Sequence, residues 1–198
     1  ATTLIYTLSL HDALPIYYVI GLGHREIGLL TMRLGGDRRH GLVDADRLRS
    51  PAFDVQRERI VGVWEAMTAA GIDPDSLTVV ESYEHLAESG GAAAKVALET
   101  NPRITALMCT ADILALSAMD YLRAHGIYVP GQLTVTGFDG VPDAINRGLT
   151  TVAQSSLQKG RRAGELLLKP PRTGTPGLPV VELLDTELIR GRTAGPPA

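Results

Sequence analysis

Two aspartates, Asp112 and Asp139, each follow a short apolar run and so stand where a strand ends. Ligand-contacting side chains of open α/β sheets collect at the carboxyl ends of the strands. A carboxylate there offers only acceptors, which suits hydroxyl or amino groups of a small molecule. Asp112 has a second reading, as the N-cap of the helix that follows it. Asp139 comes after Phe138 with no helix directly behind it, and is the better ligand contact. Cys109 also ends a strand, where a nucleophile can sit. No histidine or cation adjoins it to lower its pKa, so it reads as a buried apolar cysteine. Gly21-Leu22-Gly23-His24 lacks the third glycine of a dinucleotide loop and leads into a strand, not out of one. His24 has no nucleophile near it in sequence and reads as a structural histidine at a helix-to-strand turn. Arg38-Arg39-His40 is basic enough to suggest phosphate, but Asp44, Asp46, Arg47 and Arg49 make residues 33–50 a mixed-charge, solvated loop. There is no phosphate loop, zinc-binding His-Glu pattern or nucleophile elbow, so an α/β enzyme is the weakest reading and no cofactor or metal is implied.

The elements that must position these groups follow from periodicity. Residues 104–109 form an apolar run between Pro102 and Asp112, suited to a buried strand. From Asp112, Leu116, Met119 and Leu122 repeat at helical spacing; Gly126 fits a left-handed C-cap and Pro130 forbids resumption. Residues 133–136 are a second strand, running into Gly137-Phe138-Asp139. Strand, helix and strand at this spacing make a right-handed crossover unit of a parallel sheet. Upstream, residues 17–22 are the end of a helix closed by Gly23, and residues 27–31 a strand. Asp54 can cap a helix carrying Ile60, Val63, Trp64 and Met67 as its apolar stripe, with Trp64 in core packing and Gly71 at the end. Arg59 lies beside that stripe and, by itself, reads as part of a solvated face. Residues 77–80 are a strand, 82–91 a loop with Tyr83 and His85, and 92–99 an alanine-rich helix. Downstream, Leu157, Gly160, Ala163, Gly164 and Leu167 mark a helix whose small residues allow close packing, stopped by Pro170-Pro171. A turn-rich loop (172–177), a strand (180–184), a returning segment (188–190) and a tail (193–198) complete the chain.

Composition bounds the function classes. The 198 residues allow one domain or two lobes, and a net charge of −3 excludes a basic nucleic-acid surface. One cysteine excludes an internal disulfide framework and fits a reducing compartment. No apolar run approaches membrane-spanning length, and there is no internal repeat.

Several short motifs occur together and in order: Gly23-His24-Arg25 with Ile27, Arg59 with Gly62, Thr105-Ala106, Asp112 with Ala115-Leu116, Gly126-Ile127 with Val129-Pro130, Gly137-Phe138-Asp139, Leu149-Thr150-Thr151-Val152, Gln154, Gly160-Arg161, Glu187-Leu188 and Arg190. In this the chain, from about Tyr17 to Thr193, resembles the effector-binding domain of the lactose- and galactose-repressor family. The resemblance implies an α/β fold of the periplasmic-binding-protein-like type I, two lobes with a small-molecule cleft between them. It places residues 17–154 and 186–198 in the C-terminal lobe, a parallel sheet flanked by helices, and residues 155–185 as a helix–strand remnant of the N-terminal lobe. The helix-turn-helix headpiece, hinge helix and opening units of the other lobe have no counterpart here. By resemblance Arg59 enters the cleft and holds the effector, with Asp112, Asp139, Tyr83 and Gln154 as further contacts. Paired Asp and Arg groups suit the vicinal hydroxyls of a sugar, with a nucleobase as the other candidate. The implied parent is a cytoplasmic homodimer that meets operator DNA only through its headpiece, with no membrane partner. The sequence departs from the family at Ala111, where Asn is common, at Gly140, where a second acidic residue is common, and at Arg192, which replaces Ser. The rival reading is a periplasmic sugar-binding component of a transporter, since the same fold serves both. A signal peptide on the intact gene would favour it and a helix-turn-helix segment would exclude it.

Residues 1–16 differ from the rest. The run from Tyr6 to Ile16 is a one-frame translation of a common short-read sequencing adapter, and nothing in the family resembles it. The segment is expected to be a cloning or assembly artefact, which removes His11 and Asp12 from any catalytic reading. Amplifying the source locus across codon 17 should return different upstream sequence. A genomic read encoding residues 1–16 in frame would refute the expectation.

Overall fold

Strand β2 (Ile27–Met32) is buried along its whole length and is the axis of the sheet. The computed structural model describes residues 3–6, 14–84, 86, 88–168 and 180–198. The elements ahead of β2 are β1 (Thr3–Tyr6) and α1 (Leu14–Gly21). After it come β3 (Gly41–Leu42), α2 (Ala45–Arg49), α3 (Asp54–Ala69), a 3-10 turn (Pro74–Ser76), β4 (Thr78–Ser82), α4 (Ser89–Thr100), β5 (Ala106–Cys109), α5 (Asp112–Ala124) and β6 (Thr134–Thr136). The chain continues through α6 (Pro142–Asn146), β7 (Thr151–Gln154), α7 (Ser156–Leu168), β8 (Val180–Leu183) and β9 (Thr186–Ile189).

The main sheet has the order β3-β4-β2-β5-β6, parallel except for β3. Its period-2 alternation feeds two cores. Ile27 and Leu29 of β2, with Ala106 and Met108 of β5, pack against α1 and α3 on one face. Leu30 and Met32, with Leu107 and Cys109, pack against α4 and α5 on the other. Because β2 leads outward to β4 while β5 leads the opposite way to β6, the strand order reverses between β2 and β5. A crevice opens outside the carboxyl ends at such a switch point. β7 and β9 form a separate antiparallel pair, and β1 pairs in parallel with β8.

Several expectations need correction. The chain of residues 33–50 is more than solvated loop: Arg47, only 15% exposed, bridges buried Glu81 and Asp37. Glu81 lies buried near the end of β4 and needs a counter-charge, which draws this segment down and buries Leu34 and Leu48. Asp54 is the first helical residue of α3; Phe53 occupies the cap without a side-chain bond, and Asp54 pairs with Arg57. Residues 193–198 are no tail. The Thr193 hydroxyl donates to the Val135 carbonyl (2.7 Å) and accepts from the Thr150 amide (2.9 Å), and the Thr193 carbonyl accepts from the Val135 amide (2.8 Å). This strap occupies the open edge of β6, whose backbone groups would otherwise go unpaired. Gly160 and Gly164 of α7 face open space, and Leu157, Leu167 and Leu168 are 81–85% exposed, so the expected close packing is not made among the described residues. α1 begins at Leu14, inside the segment set apart from sequence, and Ile16 is completely buried. The readings of His11, Asp12, His85 and residues 172–177 lie outside the described residues.

His24 is a structural histidine, as expected. It is 1% exposed, with Nδ1 2.8 Å from the Thr105 hydroxyl and Nε2 2.7 Å from the Gly195 carbonyl, so it ties the C-terminal strap to the sheet. Burial lowers its pKa, opposed by the Gly195 carbonyl. Cys109 is buried and its thiol is pushed up by desolvation, as an inert apolar cysteine should be.

The loop expected over residues 82–91 ends early, because Ser89, Gly90 and Gly91 already belong to α4. Glycine disfavours helix interiors, so its presence needs a reason. A Cβ at Gly90 would land on the carbonyl of Leu114, because α4 presses against the first turn of α5. Gly90→Ala should therefore lower stability by about 1–3 kcal/mol by overpacking, against the roughly 1 kcal/mol that alanine gains in helix propensity. A urea-unfolding midpoint that rises in this variant would contradict the close approach.

Candidate functional site

The site is built around the start of α5. Ala111 takes the cap position without a side-chain bond, so Asp112 is the first helical residue and not the cap. Asp112 is fully buried. Its Oδ1 accepts from the Thr151 hydroxyl (2.6 Å), its Oδ2 from the Val141 amide (2.8 Å), and its own N–H donates to the Phe138 carbonyl (2.7 Å). Burial raises its pKa, opposed by the Thr151 and Val141 bonds. These bonds join α5, the loop after β6 and β7. Gly137 follows from them, since a Cβ there would collide with the Asp112 carboxylate.

That loop delivers Phe138 and Asp139 to the crevice. Asp139 has φ 123°, in a region that side chains rarely adopt. Its amide donates to Val152 (2.9 Å) and its carbonyl accepts from Gln154 (3.1 Å), so β7 holds the strained residue from both sides. Strain fixed by its surroundings clusters at functional sites. Burial pushes the Asp139 carboxyl up to about 6, against the pull of the Arg59 cation. Gln154 donates Nε2 to Asp139 Oδ1 (3.0 Å), and Lys159 donates to the Gln154 side-chain oxygen.

Arg59 enters the same crevice from α3. Its guanidinium lies 4.5 Å from the centre of the Phe138 ring and donates Nη1–H to the Thr110 carbonyl (2.9 Å). Ring and carbonyl together fix a side chain that is otherwise rich in rotamers. The cavity there is about 420 Å³, lined by the polar residues Arg59, Asp139, Thr110 and Gln56 and by the apolar residues Phe53, Val55, Ile113, Met32 and Ala111. Phe53, Val55 and Ile113 are 39–42% exposed, unusual for large apolar groups side by side unless something covers them. The size lies in the range of small-molecule sites. A second cavity of about 430 Å³, lined by Met119, Ile127 and Tyr128, opens elsewhere and contains no carboxylate.

Of the five residues expected at the site, the structure brings Arg59 and Asp139 together at the cavity. Gln154 stands behind Asp139. Asp112 is committed to internal bonds that occupy both carboxylate oxygens. Tyr83 does not line the cavity; it lies one layer back, under the Arg33 guanidinium at 5.5 Å. Phe53, Gln56 and Arg33 line the cavity without having been singled out by sequence. Phe53 alone left a signal, as an aromatic directly before a helix start. Among the described residues no group of three or more metal-ligating side chains could hold a metal ion. Among them too, no helix is long and apolar enough to cross a membrane.

Residues 16–194 match the family described as the periplasmic binding protein-like domain. An HTH-type transcriptional regulator of Mycobacterium tuberculosis is 84% identical over 181 residues, covering 91% of this chain and 50% of that protein. A crystal structure of a LacI-family transcriptional regulator from Corynebacterium glutamicum superimposes with a TM-score of 0.88 at 36% identity, over 96% of this chain and 56% of that one. A complex of the regulator CelR with cellobiose shares the fold at a TM-score of 0.75 and 24% identity, over 98% of this chain and 54% of that one. The chain spans about half the length of the curated relatives it matches. It belongs to the periplasmic binding protein-like domain family, and its relatives there are transcriptional regulators of the LacI type.

Proposed function

We propose that the chain is the effector-sensing domain of a DNA-binding transcriptional regulator, and that a small metabolite in the Arg59–Asp139 cleft changes operator affinity. The observation that carries this is the cavity itself. A donor fork and an acceptor line the same cavity as a set of exposed apolar side chains. A sugar fits such a surface, with hydroxyls toward Arg59 and Asp139 and its C–H face toward Phe53 and Val55. The same arrangement would accept the edge of a nucleobase, but Asp139 and Arg59 match a vicinal diol. The CelR complex holds cellobiose, which supports the sugar. The names of the relatives support a cytoplasmic regulator without enzymatic activity over a transporter component. Operator contact would come through a headpiece outside this chain, in a homodimer. Residues 155–185 would belong to the second lobe, the rest of which would cover the exposed leucines of α7.

In the intact regulator, Arg59→Ala and Asp139→Asn should each weaken effector binding while operator binding without effector survives. A hydrogen bond to a charged group contributes about 1.5–3 kcal/mol, so the loss of Arg59 should cost roughly tenfold to a hundredfold in affinity. An arginine that merely salts its helix surface would cost at most about 1 kcal/mol. Calorimetric titration of effector into wild type and both variants separates the two, and unchanged affinity in Arg59→Ala would retire the cleft assignment.

The pH dependence follows from the raised Asp139 carboxyl. Its ionised form is the acceptor, so effector affinity should fall as pH drops through about 6 and recover above it. Asp139→Asn should lose the part of this pH dependence that comes from the carboxyl. A pH profile unchanged by that substitution would remove Asp139 from the contact.

A further inference from the structure

Arg33 follows β2 at its carboxyl end and lines the cleft beside Arg59 and Asp139. Its guanidinium lies over two aromatic rings, 5.6 Å from the centre of Phe53 and 5.5 Å from that of Tyr83. Among the described residues it has no carboxylate partner. Arg47, in the segment that follows, is by contrast neutralised by Asp37 and Glu81. The rings hold the Arg33 cation in place without cancelling its charge. The ionisable groups lining the cleft are then two guanidiniums against one carboxylate. A neutral polyol leaves the surplus positive charge uncompensated, whereas a phosphate or carboxylate neutralises a guanidinium through two parallel N–H···O bonds.

We propose that Arg33 is an anion-selecting residue, and that the effector of this domain is a polyol bearing an anionic group, seated with its hydroxyls toward Asp139 and its charge at Arg33. This rests on the reading of the cleft as the effector site and goes further by naming the ligand's charge. Phe53 and Tyr83 become positioning residues, acting through the arginine they hold.

The test uses the intact regulator and two simple probes, inorganic phosphate and acetate, titrated while the arginine Nε–H resonances are followed by NMR. Saturable binding of at least one probe at millimolar concentration is expected, with the Arg33 resonance among those that move. Arg33→Gln should weaken it about tenfold. Which probe binds tells a phosphate from a carboxylate. Arg33 is exposed, so the variant should keep the wild-type unfolding midpoint, and Phe53→Leu, which leaves the charge but removes one ring, should weaken binding by less. If neither probe saturates, or if Arg33→Gln binds as well as wild type, the anion assignment is overturned. Neutral sugars that release operator DNA in an Arg59-dependent way would in that case leave the cleft itself standing, so the two failures are distinguishable.

Discussion

A single buried carboxylate organises the working edge of this domain. Asp112 lies at the first turn of α5 with no exposed surface, and burying a carboxylate is costly unless its oxygens are filled. Thr151 and Val141 fill them, from strands and loops 29–39 residues further along the chain. The cost of burial is thereby turned into a tie between α5, the loop after β6 and β7. Removing one donor to such a group typically costs about 1.5–3 kcal/mol, because a carboxylate oxygen is left buried and unsatisfied. Gly137 is demanded by the same carboxylate, and the strained backbone of Asp139 is held by the same strand that supplies Thr151. Position at the crevice is thus inherited from packing beneath it.

The preorganisation extends to the cations. Arg59 is held by the Phe138 ring and the Thr110 carbonyl, and Arg33 by Phe53 and Tyr83. Arg59 is held before any ligand arrives and Arg33 is biased toward its rings, so less side-chain entropy remains to be lost on binding. The elements that carry them, α3 and the end of β2, meet α5 and β6 where the strand order reverses. The crevice is therefore a product of topology, and the side chains only decide what it accepts.

Much of this was legible in the sequence because it depends on local pattern. The strands at β2, β4, β5 and β6 and the helices α3 and α5 all carry their period, and the glycines at 71 and 126 mark two helix ends with positive φ. What escaped depends on partners far away in the chain. Nothing near Gly90 says that the Leu114 backbone presses on it. Nothing near Thr193 announces the open edge of β6, and Arg47 looks like one charge among many until Glu81 is seen buried behind it. Asp112 and Asp139 both read as strand-end aspartates, with Asp139 the better ligand contact. They differ because one has donors on every side and the other borders a cavity. Arg59 was distinguished only by resemblance, since on a helix surface a functional arginine has the same spacing as a solvated one.

The most direct test of the cleft as effector site is a crystal structure of the intact regulator with its effector bound. The Arg59 guanidinium and the Asp139 carboxylate should then lie within hydrogen-bond distance of the ligand, with Phe53 against its apolar face. A ligand seated instead in the cavity beside Met119 and Tyr128, with Arg59 and Asp139 facing only solvent, would contradict the assignment.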